Sequence, residues 1–189
     1  VERINRNRAT RFAVDLRNTR ITAEDLIAVL GYASVYRCST DAACHELKEA
    51  PSANRLREVL AQAWPDRAIL PRALNTILRA QTPRFVKKGR RAYYVAIDLT
   101  LLPYPGECYE DEKEMVRAQA KSGTTHFHGY VTVSIVHDNQ RYVVALHFVE
   151  KGESREKIVA WLLNRLKSMG ISITRAYFDK GFCAVPVLK

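Results

Sequence analysis

The chain has few cysteines, and they are scattered. Cys38, Cys44, Cys108 and Cys183 are the only four in 189 residues, with no Cys-x-x-Cys pair and no regular spacing. That argues against a disulfide framework or a zinc ribbon and makes reduced thiols the expectation. No apolar run approaches the roughly 18 residues that a membrane span needs, and the N-terminal stretch carries arginines where a secretory leader places its apolar segment. A soluble, intracellular chain without a membrane partner is therefore expected. No Gly-x-x-x-x-Gly-Lys-Ser/Thr or Gly-x-Gly-x-x-Gly sequence occurs, so nucleotide-driven chemistry has no support, and no Gly-x-Ser-x-Gly signals a nucleophile elbow. Acidic charge is also in short supply: 20 Asp and Glu stand against 30 Lys and Arg, a net charge of +10. That balance points to a polyanionic partner.

What is present falls into two halves. Residues 1–91 hold 18 Lys and Arg against 9 Asp and Glu, whereas residues 92–189 hold 12 against 11. The basic half has helical periodicity and few β-branched runs, while the second half is rich in Val, Ile, Thr and Tyr. The change comes at Lys87-Lys88-Gly89-Arg90-Arg91. The expected organisation is therefore α+β, with a helical module over 1–91 and a mixed-sheet domain over 92–189. Residue 1 is Val, and Gly181 to Lys189 reads as a helix just beginning. A piece of a longer protein, its second domain C-terminally incomplete, is expected.

In the first half, Thr22 is placed to cap a helix with Leu26, Ile27, Val29 and Leu30 inward, ending at Gly31 or a turn later. A second helix runs from Ser39 or Thr40 to about Lys48. Pro51-Ser52 opens a third, in which Ala53, Leu56, Val59, Leu60, Ala63 and Trp64 recur at helical spacing until Pro65. Three short helices with a tight turn before the last resemble a helix-turn-helix module. A fourth helix spans 70–81.

In the second half, strands are expected over 92–98, 130–136, 142–149 and 172–178. His137-Asp138-Asn139-Gln140 should form a hairpin turn, with a crossover helix over 154–169. In that helix Ile158, Leu162, Leu163, Leu166 and Met169 make one apolar stripe. Three antiparallel strands, a crossover helix and a parallel strand are the opening of a ribonuclease H-like fold. In that topology Asp98, at the end of the first strand, and Asp179, at the end of the fourth, lie on neighbouring central strands. Two carboxylates held together repel unless a cation sits between them, and Mg²⁺ or Mn²⁺ suits an oxygen-only site. Each Asp taken alone also reads as a turn cap.

The segments Tyr94-Val-Ala-Ile-Asp-Leu-Thr100, Lys121-Ser-Gly-Thr-Thr-His-Phe-His128 and Ala176-Tyr-Phe-Asp-Lys-Gly-Phe182 resemble the catalytic core of DDE-type insertion-sequence transposases, from about residue 92 onwards. The resemblance implies that Asp98 and Asp179 are the first two catalytic, metal-holding carboxylates and that Lys180-Gly181-Phe182 completes the second motif. It further implies metal-dependent phosphodiester hydrolysis at an element's ends and strand transfer into double-stranded target DNA. A cytoplasmic, nucleoid-associated protein, dimeric in its full form, follows from the same likeness. The family's third carboxylate, a Glu on a later helix, has no counterpart after Asp179. Two other functions stay open: a non-catalytic DNA-binding protein derived from a transposase, and another ribonuclease H-like nuclease such as a resolvase.

For DNA contact the candidates are Arg3, Arg6, Arg8, Arg11, Arg17 and Arg20 in an N-terminal arm, and Asn54, Arg55 and Arg57 opening the third helix. Arg84, Lys87, Lys88, Arg90 and Arg91 in the linker, with Lys121, complete the set. Each arginine alone reads equally as a solubilising surface charge. His126 and His128 alternate on one strand face and either line the site or bond at the strand end. The acidic run Glu107, Glu110, Asp111, Glu112 and Glu114 reads as a solvated loop after the first strand. Cys38, Cys44 and His45 lack a fourth zinc partner at usable spacing. Should a third carboxylate lie within the chain, Glu153 and Glu156 are the first to test.

Overall fold

The computed structural model describes Leu16 and residues 20–63, 68–87, 91–106 and 112–182. Arg3, Arg6, Arg8, Arg11, Arg17, Trp64, Pro65, Lys88, Arg90, Glu107, Cys108, Glu110, Asp111 and Cys183 lie outside the described residues. The protein is α+β, and it divides into two compact units between Ile77 and Leu78.

The first unit holds α1 (Ala23–Tyr36), α2 (Thr40–Glu46) and α3 (Ala53–Ala63), and α4 (Leu70–Gln81) begins in it. A reciprocal capping box starts α1: the Asp25 N–H donates to Thr22 Oγ1 at 3.1 Å and the Thr22 N–H to Asp25 Oδ2 at 2.8 Å. The helix runs past Gly31 and ends about a turn later, at Tyr36, the second of the two expected stops. Gly31 does not take the left-handed conformation that ends a helix; Arg37 does so instead, at φ 52°. Ser39 caps α2 by accepting from the Ala42 N–H at 3.1 Å, and Ser52 accepts the first backbone bond of α3 from Leu56 at 2.9 Å. Leu26, Val29, Ala43 and Leu56 are buried together, flanked by Leu30, Cys38, Cys44 and Leu60. Burial of each large side chain contributes about 1.5–3 kcal/mol.

The second unit begins in α4 and continues through α5 (Arg84–Lys87), β1 (Ala92–Pro103), β2 (Val116–Lys121), β3 (Thr124–His137), β4 (Gln140–Val149), α6 (Arg155–Ser168) and β5 (Ser172–Phe178). The composition change at 87–91 therefore lies inside this unit. Val86 of α5 is 1% exposed within its core, and the Tyr93 hydroxyl donates to the Phe85 carbonyl at 3.0 Å.

One mixed sheet holds all five strands. β1 is central, antiparallel to β3 and parallel to β5. The far edge of β3 is shared, by β2 near its start and by β4 from Gly129 onwards. Two expectations need correction here. β1 does not end at Asp98 but stays paired with β3 as far as Pro103, so Asp98 is mid-strand. β3 starts at Thr124, six residues earlier than read, because the preceding segment folds back as β2 through a turn at Ser122 (φ 53°) and Gly123 (φ 78°). The β3–β4 hairpin turns as expected, with Asp138 and Asn139 both left-handed at φ 48° and 59°.

Alternation along the strands sorts the sheet into two faces. Tyr93, Val95, Ile97, Val131, Val133 and Ile135 point to one face and are buried against Ile158, Leu162 and Leu166 of α6. Leu163, expected in that apolar stripe, is 36% exposed instead. Gly129 sits where β3 changes partners: a Cβ there would meet Val116 Cγ2 and Val149 Cβ, each at 3.0 Å. Gly129→Val should therefore cost about 1–3 kcal/mol by overpacking, read as a fall in the urea midpoint, and an unchanged midpoint would show that the two valines can move apart. Among the described residues no helix is long and apolar enough to cross a membrane.

Candidate active site

Asp98 and Asp179 come together through strand pairing. The parallel β1–β5 register runs through Val95↔Ala176, Ala96↔Tyr177 and Ile97↔Phe178. It continues one step further, because the Asp179 N–H donates to the Ile97 carbonyl at 3.0 Å. Asp98 and Asp179 are therefore neighbours, on the face opposite α6, and both are exposed. On its other side Asp98 is paired with Thr132 of β3.

A short turn, Lys180–Phe182, fixes the second carboxylate. Asp179 Oδ1 accepts from the Lys180 N–H at 2.7 Å, and the Phe182 N–H donates to the Asp179 carbonyl at 2.9 Å. Phe182 itself turns into the core and is fully buried. Asp179 Oδ2 is left outside this bonding, and among the described residues Asp98 Oδ2 has only the Thr100 hydroxyl, at 3.5 Å. Two oxygen donors with free lone pairs, on adjacent strands, form a set suited to a hard divalent cation. Among the described residues no group of three or more His, Cys, Asp or Glu side chains is arranged to hold a metal ion.

Glu153 and Glu156 do not supply a third carboxylate to this face. Glu153 binds His147 instead, with both carboxylate oxygens 2.9 Å from Nε2, and it also accepts from the Glu150 N–H at 3.2 Å. His147 pairs with Val131, whose side chain points towards α6, so this contact lies on the covered side of the sheet. Glu156 is exposed in the first turn of α6. His126 and His128 alternate on β3 as expected, and His128 sits edge-on to Tyr104 with ring centroids 5.3 Å apart. It pairs with Leu102, four residues along β1 from Asp98, a separation of about 13 Å at strand spacing.

The residues expected to meet DNA are partly engaged with one another. Arg57 donates to Asn54 Oδ1 at 2.7 Å and forms an ion pair with Asp41 at 3.1 Å, and Arg55 pairs with Glu58 at 2.8 Å. Asn54, Arg55, Arg57 and Glu58 are exposed, as are Arg91 and Lys121, and Asp41 is half-buried. Lys87 Nζ donates to the Ala80 carbonyl at 3.1 Å. Cys38 and Cys44 are free thiols packed among the first three helices. Burial pushes the Cys44 thiol above its ordinary pKa, and Asp41 adds to the effect.

Sequence reasoning passed over Tyr94, Arg175 and Tyr177, which share the face of the two carboxylates. Their period-two spacing from Asp98 and Asp179 was the available signal. Comparison with protein-family models, with curated proteins and with solved structures finds no match to this chain.

Proposed function

We propose that the sheet unit is a DDE-type transposase core with a ribonuclease H-like fold, and that the basic helical unit binds element ends as a helix-turn-helix module. The observation that carries this reading is the pairing of Asp98 with Asp179 on one open sheet face. The strand order β4-β3-β1-β5, with α6 as the crossover, supports the fold assignment. Asp98 and Asp179 would hold Mg²⁺ or Mn²⁺, which polarises a phosphodiester and activates the attacking oxygen when bound. The Lys180 N–H and the buried Phe182 ring orient Asp179, and the β1–β3 and β1–β5 ladders hold Asp98. Duplex DNA is the partner, and two copies would bring two ends together.

A second reading, a non-catalytic DNA-binding protein of the same descent, is favoured by one observation. No third carboxylate joins the pair among the described residues. Both readings predict that the chain retards duplex DNA in a gel shift; they differ in end-labelled DNA nicking with Mn²⁺. Slow, metal-dependent nicking that Asp98→Asn and Asp179→Asn each abolish, with the gel shift unchanged, supports the transposase. No nicking at all supports the binding protein. Asn keeps the shape and removes the charge that holds a metal, so the expected loss is electrostatic. Nicking that survives both substitutions would remove the carboxylate pair from the chemistry.

A further inference from the structure

The sheet face opposite α6 carries three groups beside the carboxylates that the fold itself does not use. Tyr177 of β5 and Tyr94 of β1 are 50% and 48% exposed. Their rings lie 6.3 Å apart, tilted by 59°. Arg175 is the strand partner of Tyr94 and is exposed. Its guanidinium makes no ion pair or hydrogen bond among the described residues. Along β5 the outward side chains therefore run Arg175, Tyr177, Asp179, a cation, an aromatic ring and a carboxylate at two-residue intervals of about 6.6 Å.

The mixture on this face restricts what can cover it. A purely apolar helix or sheet would strand Arg175, Asp98 and Asp179 away from water without partners, at a cost that burial of two tyrosines does not offset. A nucleic-acid strand presents the complementary series, with negative phosphates alternating with flat, apolar base faces. Its phosphate would need a cation to approach the carboxylates, which is the arrangement already proposed for them. An intact duplex hides its base faces inside the stack, so only an unstacked strand offers one to an aromatic ring.

We infer that Tyr177 and Tyr94 form a stacking subsite for one unpaired base, and that Arg175 receives the phosphate beyond it. Single-stranded nucleic acid then runs along β5 to the carboxylate pair. This inference rests on the reading of Asp98 and Asp179 as a phosphodiester site. It assigns to β5 a selection for frayed or single-stranded ends, separate from duplex binding by the basic helical unit.

The test uses the full chain, with fluorescence anisotropy of a labelled short oligothymidylate and, in parallel, of a duplex, both in Mg²⁺. Tyr177→Ala is expected to weaken oligothymidylate binding roughly 5- to 150-fold. Tyr177→Phe, which keeps the ring, should bind as the wild type does, and duplex affinity should be unchanged in both. Tyr177 is half exposed, so neither change removes core packing, and a circular dichroism spectrum checks the fold. An oligothymidylate carrying 5-iodouracil should cross-link to Tyr94 or Tyr177 on irradiation, as mapped by mass spectrometry. Wild-type chain that binds duplex but not oligothymidylate would overturn the subsite and leave the proposed function standing, as would Tyr177→Ala binding that matches wild type. Wild-type chain that binds neither would overturn the proposed function and the subsite with it.

Discussion

Truncating Phe182 to Ala is expected to lower the unfolding free energy of the sheet unit by about 3–5 kcal/mol. The ring is fully buried in the main core. It lies 6.2 Å from Phe178 and has the Arg155 guanidinium 5.7 Å from its centroid. Its removal leaves a cavity under the turn that presents Asp179, because the Phe182 N–H is also the group that closes that turn on the Asp179 carbonyl. The loss should therefore appear twice, as a lower urea midpoint by circular dichroism and as faster hydrogen exchange in β5. Phe182→Leu, which keeps most of the volume, should cost less than about 1.5 kcal/mol. If Phe182→Ala unfolds at the wild-type midpoint, the turn is held by its backbone bonds alone and the ring is not its anchor.

Raising the salt from 50 to 200 mM is expected to weaken duplex DNA binding by about 10³–10⁵-fold, the response of a protein that contacts roughly 6–10 phosphates. Among the described residues the candidate cations for this include Arg20, Arg55, Arg57, Arg84, Lys87, Arg91 and Lys121, all exposed. Two of them already have carboxylate partners, Asp41 for Arg57 and Glu58 for Arg55. Exposed pairs of this kind are worth about 0–1 kcal/mol, too little to hold an arginine back from a phosphate. Asp41→Asn should accordingly raise affinity slightly, by removing both the competing partner and a negative charge. Arg57→Ala should flatten the log–log salt slope by about one unit if Arg57 meets a phosphate, and Arg55→Ala should cost roughly 1–3 kcal/mol of sequence discrimination if it meets a base edge. Anisotropy across a salt series measures both, and a slope near zero would remove DNA as the partner.

Where the side chains carry a strong period, the elements were legible. Thr22, Ser39 and Ser154 cap helices as their positions suggest, and the alternating apolar runs of β4 and β5 form strands where they were read. β2 was missed because Val116-Arg-Ala-Gln-Ala-Lys121 has one β-branched residue and otherwise favours helix. It is a strand because the Ser122-Gly123 turn delivers it to the free edge of β3. α5 lies in the stretch that the sequence presents as a basic linker: Phe85 and Val86 are only two apolar residues among charges, and the burial of Val86 depends on a surface supplied by the sheet.

The carboxylate pair shows where the two kinds of information divide. Sequence by itself determined that Asp98 and Asp179 each follow a run of apolar residues, that Tyr94 shares a face with the first and Tyr177 with the second, and that positive charge is concentrated in the first half. A side-chain period of two specifies which residues of a strand lie together. It does not say which face a helix will cover, and in β1 both alternating sets, Tyr93-Val95-Ile97 and Tyr94-Ala96, are apolar enough to be buried. Only the tertiary structure decided that α6 covers the first set and leaves the carboxylates open. It also decided that β5 lies in parallel register beside β1, and that Glu153 is engaged by His147 on the covered side. Those outcomes depend on hydrogen bonds and packing between segments remote in the chain, whose partners no local pattern names.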